Sequence, residues 1–252
     1  MLTLHALTTG YRHTIVSRHL NATLPQGTLT ALLGTNGAGK STLLRTLARF
    51  QPPLAGSISW QGTDTAQLSA RQLARTMSVV LTFKPEAEAL TAAEVVEMGR
   101  IPYITMLSDT TETDRQAVEQ AMQLTHTTPF AHRPISTLSD GERQRVFIAK
   151  ALAQNTPVIL LDEPTAFLDF PAKIATMRLL KKLAHDAQKT ILLSTHDVEL
   201  ALHMADNLWL LNQQTLTSGS PQLLAANGCI GRFFNTEGVQ FDAATMRFDM
   251  RD

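Results

Sequence analysis

The sequence is poor in cysteine and has no long apolar run. Its single cysteine, Cys229, excludes an internal disulfide and a cysteine-based zinc site, which fits a reducing compartment. The N-terminus lacks a basic segment followed by an apolar one, and no stretch approaches the roughly 18 apolar residues of a bilayer span. We therefore expect the chain to stay in the cytosol, with any membrane contact made through another component.

Neither charge sign is in excess. The 22 basic and 22 acidic residues give a formal net charge of +0, whereas nucleic-acid binding calls for a basic excess or a basic stripe. No nucleic-acid partner is expected. The 252 residues, 44% of them hydrophobic, are enough for a globular core of one large domain or two small ones.

Two kinds of strand are predicted. Leu2, Leu4 and Ala6 alternate with polar residues, and residues 57–60 read similarly before a Gln-Gly turn, which indicates half-exposed antiparallel strands. Three other segments, residues 29–33, 158–161 and 191–193, are apolar almost throughout. That pattern is typical of strands covered on both faces in a parallel sheet.

A helical region of about residues 85–155 separates these strands. Its apolar positions have helical spacing, as in Val95, Val96, Gly99, Val118, Ala121 and Met122. We interpret it as a helical subdomain inserted into an α/β core. The last segment, about 228–252, contains Phe233, Phe234 and Phe241 and is expected to be a packed tail.

A phosphate-binding loop is predicted after the first apolar strand. Residues 34–41 read GTNGAGKS and match G-x-x-x-x-G-K-[ST], and apolar Leu43, Leu44 and Leu47 follow at helical spacing. Glycines let backbone N–H groups point at phosphate, Lys40 reaches the β and γ oxygens, and Ser41 offers a hydroxyl to Mg²⁺. The alternative is a plain glycine-rich turn. The predicted nucleotide-binding residues are Gly34, Thr35, Asn36, Gly37, Ala38, Gly39, Lys40, Ser41 and Thr42.

Polar residues follow the other two apolar strands at the same predicted sheet edge. Asp162 and Glu163 end the second strand, and His196 follows the third. Carboxyl ends of parallel strands are where α/β sheets bind ligands. Asp162 is the predicted Mg²⁺ partner, Glu163 the general base, and His196 a contact for the γ-phosphate or the attacking water. Taken alone, an Asp-Glu pair after a strand is more often a loop start and helix cap.

A second anion site is predicted at residues 138–142, which read LSDGE. Ser139 and Glu142 form an S-x-x-E capping box, so a helix begins here. Gly141 lies in its first turn, where unpaired N–H groups and the helix dipole attract anions.

The order of these motifs resembles that of ATP-binding cassette (ABC) ATPases, and the resemblance covers about residues 2–224. It implies an α/β P-loop NTPase fold with a mainly parallel core sheet, an antiparallel β subdomain and the inserted helical subdomain, all within one domain, 1–252. It also implies ATP and Mg²⁺ as cofactors. In this family two cassettes dock head to tail, so a homodimer with two shared sites is expected.

The resemblance also suggests roles for single residues. Tyr11 matches the aromatic residue that stacks on adenine, although an N-terminal tyrosine is by itself more often a surface residue. Ser139 and Gly141 would contact the γ-phosphate held by the partner. Asp169 matches the aspartate that bridges the two halves.

The sequence departs from the family pattern at two places. The signature is typically LSGGQ, but here Asp140 and Glu142 replace glycine and glutamine. A carboxylate at Asp140 would repel triphosphate unless it points away or pairs with a cation, for which Arg143 or Arg145 could serve. Thr82 aligns with the family's Q-loop glutamine, which contacts metal or water, and its shorter hydroxyl would need a bridging water.

Residues 94–103, EVVEMGRIPY, resemble the GR-x-P stretch of bacterial importers for iron-siderophore complexes, haem and cobalamin. A helix ended by Pro102 is the simpler interpretation. The resemblance implies transmembrane permease subunits that dock in a groove near residues 83–88 and 100–103. It also implies a substrate-binding protein acting indirectly, and a peripheral location on the cytoplasmic face of the bacterial inner membrane. The alternatives are a soluble, non-transport ABC ATPase and an ATP-binding regulatory module without turnover.

Overall fold

The chain begins with three consecutive strands and has three consecutive α-helices near its middle. The computed structural model describes residues 1–12, 14–81, 89–104, 110–212, 215–234 and 238–250. The strands in this part of the chain are β1 (Leu2–Tyr11), β2 (Thr14–Leu24), β3 (Leu29–Leu33), β4 (Ala55–Trp60), β5 (Thr63–Asp64), β6 (Met77–Val80), β7 (Val158–Asp162), β8 (Thr190–Ser194), β9 (Asn207–Leu211), β10 (Leu216–Gly219), β11 (Val239–Asp242) and β12 (Arg247–Met250). The α-helices are α1 (Lys40–Leu47), α2 (Ala70–Thr76), α3 (Ala92–Glu97), α4 (Glu112–Leu124), α5 (Asp140–Ala153), α6 (Phe170–Asp186), α7 (Val198–Met204), α8 (Pro221–Ala226) and α9 (Cys229–Phe233).

The core is a sheet of six strands in the order β10-β9-β3-β8-β7-β6. The strands from β9 to β6 pair in parallel, and β10 joins the edge antiparallel. Every residue of β3, β7 and β8 is buried, because apolar clusters cover both faces of the sheet. This confirms the predicted parallel sheet of apolar strands.

A second sheet is antiparallel, as predicted, with strand order β2-β1-β4-β5. The expected alternation in β1 holds for Leu2 and Leu4, which are buried, but it is wrong for Ala6. The register of β1 against β2 shifts between Leu4 and Leu7, and Ala6 has a φ of 45°. A bulge inserts an extra residue and turns the next side chain outward, so the buried face resumes at Leu7.

Helices α3, α4 and α5 pack on one another around a separate apolar cluster. Val95, Val96, Val118, Ala121 and Met122 are all buried in it, which confirms the predicted helical spacing. Each of these helices begins with a capping box, Thr91 with Glu94, Thr111 with Asp114 and Ser139 with Glu142. The start of each helix is therefore determined by local sequence.

The segment after α8 ends the described chain as helix α9 and the hairpin of β11 and β12. Its aromatic rings contact each other, with 4.9 Å between the ring centres of Phe233 and Phe234 and 5.7 Å between those of Phe234 and Phe248. These rings and Phe241 pack against the apolar cluster of the core sheet. None of the helices in the described ranges has the length and apolarity needed to cross a membrane.

The carboxyl ends of three core strands lie at one edge of the sheet. Leu32 of β3 is in register with Ser194 of β8, and Ser194 is in register with Asp162 of β7. The loops after these three strands therefore start side by side, and they carry the glycine-rich loop, Glu163 and His196.

Candidate nucleotide-binding and hydrolysis site

The loop between β3 and α1 has a backbone that only glycines adopt easily. Gly37 and Gly39 have φ angles of 78° and 98°, in the left-handed region that disfavours side chains. A Cβ on Gly39 would lie 2.4 Å from Cγ1 of Val16, whereas one on Gly37 would meet nothing within 4 Å. The loop thus packs against β2 on one side and is open on the other.

Lys40 begins α1 with its ammonium turned back toward this loop. Its Nζ donates a hydrogen bond to the carbonyl oxygen of Gly34 at 2.8 Å, and the side chain is 6% exposed. Burial lowers the pKa of Lys40, and the charges of Glu163 and Asp162 act in the opposite direction. Because their charges act on Lys40, the two carboxylates lie close enough to its ammonium to interact with it.

The remaining residues of the loop and of the first turn of α1 differ in their exposure to solvent. Thr35 and Asn36 are exposed, Gly34, Ala38 and Thr42 are buried, and Ser41 is half-buried. Thr42 donates a hydrogen bond from Oγ1 to the hydroxyl of Tyr11 at 3.2 Å. Tyr11 is 44% exposed, so its side chain lies beside the loop and still presents surface to a ligand.

Asp162, Glu163 and His196 are brought together at the sheet edge. Nε2 of His196 lies 2.6 Å from Oε1 of Glu163. Ser194 Oγ donates a hydrogen bond to Oδ1 of Asp162 at 2.6 Å and accepts one from the backbone N–H of Glu163 at 2.9 Å. Glu163 has a φ of 51°, an unusual backbone conformation for a residue with a side chain.

Ser139 caps helix α5 in the way its sequence predicts. Its Oγ accepts a hydrogen bond from the N–H of Glu142, while the Glu142 carboxylate accepts from Oγ and N–H of Ser139. Glu142 also pairs with Arg133 at 3.3 Å. The hydrogen bonds from Ser139 lower the pKa of Glu142. The Glu142 carboxylate is thus occupied by contacts within the capping box.

Asp140 pairs with a cation. This is one of the two conditions under which its carboxylate would not repel a nearby triphosphate. Arg143 Nη1 lies 3.0 Å from Oδ1 of Asp140. Arg145, the other candidate, instead places its guanidinium 5.4 Å from the ring centre of Phe130. The Asp140 charge is therefore compensated within its own helix turn.

A cleft of about 1000 Å³ opens beside the start of α5, and its lining includes Ser139, Gly141, Leu168 and Asp169. A Cβ on Gly141 would lie 3.2 Å from Cδ2 of Leu168. Asp169 is exposed and caps α6, accepting a hydrogen bond from the N–H of Ala172. Within the described part of the chain, the lining of this cleft includes no residue of the glycine-rich loop.

Two features expected from the sequence, the contact at Thr82 and the permease groove, stay predictions. Thr82 and the groove residues 83–88 lie outside the described residues. Of the other predicted groove residues, Ile101 is 59% exposed and Arg100 is 6% exposed. Its guanidinium lies 2.8 Å from Oδ1 of Asp114, donates to the carbonyl oxygen of Ala153 at 2.7 Å and lies 4.0 Å from the ring centre of Tyr103.

The residues at the sheet edge fit Mg²⁺ bound together with phosphate. Across the ranges that the structure describes, no group of three or more His, Cys, Asp or Glu side chains could hold a metal ion. Mg²⁺ in phosphate-handling sites uses one or two protein oxygens plus phosphate and water. The carboxylate of Asp162 and the hydroxyl of Ser41 are such oxygens.

Sequence reasoning missed two residues that organise this edge. Ser194 joins Asp162 and Glu163, and Lys173 of α6 pairs with Asp197, the residue after His196, at 3.0 Å. The signal for Ser194 was a polar residue at the end of an otherwise apolar strand. No local pattern connects Lys173 with Asp197.

Known proteins of one family are similar to this chain. A family model described as ABC transporter matches residues 17–166. The chain is 37% identical to the achromobactin transport ATP-binding protein of Dickeya dadantii, over 94% of this chain and 88% of that protein. It is 34% identical to the ferric enterobactin transport ATP-binding protein of Escherichia coli, again over 94% and 88%.

Among solved structures, the dimeric structure of a bacterial ABC transporter cassette superposes with a TM-score of 0.78. It is 28% identical, with 88% of this chain and 99% of that chain covered. The chain therefore belongs to the ABC transporter family. Its fold is the ATP-binding cassette of that family, and the ATP-binding proteins of ABC transporters are ATPases.

Proposed function

We propose that this protein is the ATP-hydrolysing subunit of an importer for a ferric siderophore complex. Support for hydrolysis comes from one observation above all: Asp162, Glu163 and His196 are assembled beside the glycine-rich loop and its lysine. Support for the cargo comes from relatives named for achromobactin and ferric enterobactin transport. Haem and cobalamin remain the other cargoes of the importer class.

Nucleotide binding is assigned to the loop and its surroundings. The open side of the backbone at Gly37 leaves space for phosphate, and the N–H groups at the start of α1 would donate to it. Lys40 would exchange its bond to the Gly34 carbonyl for the β and γ oxygens. The ring of Tyr11 would stack on adenine, held at its hydroxyl by Thr42.

Hydrolysis is assigned to the cluster at the sheet edge. Glu163 would accept the proton of the attacking water, and His196 would hold the Glu163 carboxylate and contact the γ-phosphate. Ser41 and Asp162 would hold Mg²⁺, which when bound neutralises charge on the β- and γ-phosphates. Thr82 stays a predicted contact outside the described residues.

The second anion site is assigned to a partner subunit. Ser139 and Gly141 lie in a cleft whose described lining lacks the glycine-rich loop, which fits a surface that receives the partner's ATP. Asp169 in the same cleft would bridge the two halves. The protein would then act as a homodimer with two shared sites, as in the dimeric cassette to which it is similar.

The proposed setting is the cytoplasmic face of the bacterial inner membrane. There the homodimer would bind two transmembrane permease subunits peripherally, and a substrate-binding protein would deliver cargo from the other side. We also propose residues 1–252 as one domain, with about 85–155 as its inserted helical subdomain and 228–252 as its tail. Closure of the dimer on ATP would move the helical subdomain and the permease with it.

Glu163→Gln tests the hydrolytic assignment. The amide keeps the size of the carboxylate and cannot accept a proton, so we expect ATP hydrolysis to fall at least about a hundredfold. ATP binding should persist, and an ATP-bound dimer should accumulate in size-exclusion chromatography. Glu119→Gln makes the same charge change on the exposed face of α4 and should hydrolyse ATP normally. Turnover at the original rate in Glu163→Gln would refute the role of Glu163.

Uptake by whole cells tests the cargo. A strain lacking this gene should lose uptake of a radiolabelled ferric siderophore and regain it with the wild-type gene, but not with Glu163→Gln. Loss of labelled cobalamin or haem uptake in place of iron would refute the siderophore assignment. Unchanged uptake of all three would refute the importer assignment.

A further inference from the structure

Ser194 is hydrogen-bonded to both acidic residues of the site, Asp162 and Glu163. It is the last residue of β8, its register partner across the sheet is Asp162, and its side chain is 0% exposed. A hydroxyl has one proton to donate and two lone pairs to accept with. The proton goes to Oδ1 of Asp162, and one lone pair accepts the N–H of Glu163. One oxygen atom thus connects a carboxylate with the backbone of its neighbour.

The bond to Glu163 holds a backbone that is strained. Its φ of 51° is unfavourable for a residue with a Cβ, and such conformations persist where surrounding contacts hold them. Ser194 holds Glu163 at its N–H, and His196 contacts it at its carboxylate. The direction of the Glu163 side chain therefore depends on both contacts.

We propose that Ser194 is a positioning residue for ATP hydrolysis, which sets the Asp162 carboxylate and the Glu163 backbone relative to each other. The proposal rests on the roles of Asp162 and Glu163 given under the proposed function. Without the hydroxyl, the Asp162 side chain loses a donor and the Glu163 peptide relaxes. The rate of the chemical step then falls, whereas ATP binding, which depends on the glycine-rich loop, does not.

Three substitutions at Ser194 separate the effect of the hydroxyl from that of the side-chain shape. Ser194→Ala removes the hydroxyl, and we expect kcat to fall about tenfold with the KM for ATP unchanged, since the lost bond involves a charged group. Threonine and valine have the same shape and differ only in the hydroxyl. Ser194→Thr should therefore hydrolyse ATP about tenfold faster than Ser194→Val, whatever strain the added methyl group causes in both.

Ser78→Ala is the matched control for the loss of a buried serine hydroxyl. Ser78 lies in β6 of the same sheet and is 1% exposed, and its Oγ has no hydrogen-bond partner among the described residues. This variant should keep the wild-type kcat. A loss as large as that of Ser194→Ala would mean that any buried hydroxyl in this sheet has the same effect, and would overturn the proposal.

Amide hydrogen exchange gives a measurement that does not depend on turnover. In the nucleotide-free protein, the N–H of Glu163 should exchange about tenfold faster in Ser194→Ala and Ser194→Val than in the wild type and Ser194→Thr. The N–H groups of β3 should exchange alike in all of them. Equal exchange at Glu163 in Ser194→Ala and the wild type would overturn the claim that Ser194 holds this backbone.

The two proposals fail in distinguishable ways. Full activity of Ser194→Ala together with an inactive Glu163→Gln would overturn the role of Ser194 alone. Full activity of Glu163→Gln would overturn the proposed hydrolytic role, whatever Ser194→Ala does. Equal activity of Ser194→Thr and Ser194→Val would mean that the shape of the side chain matters and its hydroxyl does not, which also overturns the proposal.

Discussion

Two adjacent acidic residues, Asp162 and Glu163, have different surroundings at the end of β7. Asp162 is buried and accepts a hydrogen bond from Ser194, whereas Glu163 is half-buried and faces His196, whose side chain is 48% exposed. A buried carboxylate with a fixed donor suits a metal ligand that must keep its orientation. A carboxylate next to a more exposed group suits a proton acceptor that must reach water.

Lys40→Ala tests the nucleotide cradle. Removing a charged donor to phosphate should weaken ATP binding by about 1.5–3 kcal/mol, roughly ten- to a hundredfold, as measured by calorimetry. Lys189→Ala is the control, because burial also lowers the pKa of Lys189 but this residue precedes β8, at the other edge of the sheet. It should leave ATP affinity unchanged. Unchanged affinity in Lys40→Ala would contradict the assignment.

Among the helices of the subdomain, α4 is held by one carboxylate with two functions. Asp114 completes the capping box with Thr111 and also pairs with the buried Arg100, which in turn donates to the last residue of α5, Ala153. The GR-x-P stretch is thereby tied to both α4 and α5. The Pro102 carbonyl of the same stretch also accepts hydrogen bonds from Arg71 and Arg75 of α2.

Asp114→Asn tests this connection through pH. Hydrogen bonds from Thr111, and then those from Arg100, hold the pKa of Asp114 below its ordinary value of 3.8, although burial acts in the other direction. A carboxyl group whose folded-state pKa is lowered stabilises the protein above its unfolded-state pKa, and this contribution is lost as pH falls through the folded-state pKa. The wild type should therefore exceed Asp114→Asn by about 3 kcal/mol in unfolding free energy at pH 7. The difference should shrink below pH 3.8.

Urea unfolding at several pH values measures this difference. Glu112→Gln is the control, because Glu112 lies in the same helix turn but is exposed, where it pairs with Arg115 and accepts a hydrogen bond from Gln116. It should change the unfolding free energy by less than about 0.5 kcal/mol. A difference between Asp114→Asn and the wild type that stays constant down to low pH would contradict the role of the Asp114 charge.

At the scale of the whole molecule, the proposed function assigns anion binding to two regions of the cassette. One lies at the carboxyl edge of the core sheet, and the other at the start of α5, in a cleft whose described lining does not include the first. Under the proposed function, a second copy would supply the start of α5 that completes each site. In the proposed function the two copies would therefore dock head to tail.

Heterodimers purified with two different tags test the shared sites. A dimer of one Lys40→Ala chain and one Ser139→Arg chain concentrates both changes in one shared site and leaves the other intact. A dimer of a wild-type chain and a chain carrying both changes damages both sites with the same number of substitutions. We expect the first heterodimer to keep about half the ATP binding of the wild-type dimer and the second to bind little ATP in the closed form. Equal ATP binding by the two heterodimers would contradict the shared sites.

Much of this protein follows from short stretches of sequence. The apolar runs of β3, β7 and β8, the glycine-rich loop and the capping box of Ser139 and Glu142 depend on neighbours within a few residues. Such patterns specify elements directly, because an apolar run, a left-handed glycine and a helix cap are local features of the chain. The parallel sheet, the antiparallel sheet and the family followed from them.

The remaining contacts depend on strand order and register, which no short window of sequence contains. Ser194 meets Asp162 across 32 residues of chain because β7 and β8 are neighbours in register. Arg100 is buried because it pairs with Asp114 of α4 and donates to Ala153 of α5. Ala6 faces outward because a bulge interrupts the alternation of β1. In each case packing between distant segments decided where a side chain lies, because burial and pairing depend on the whole fold.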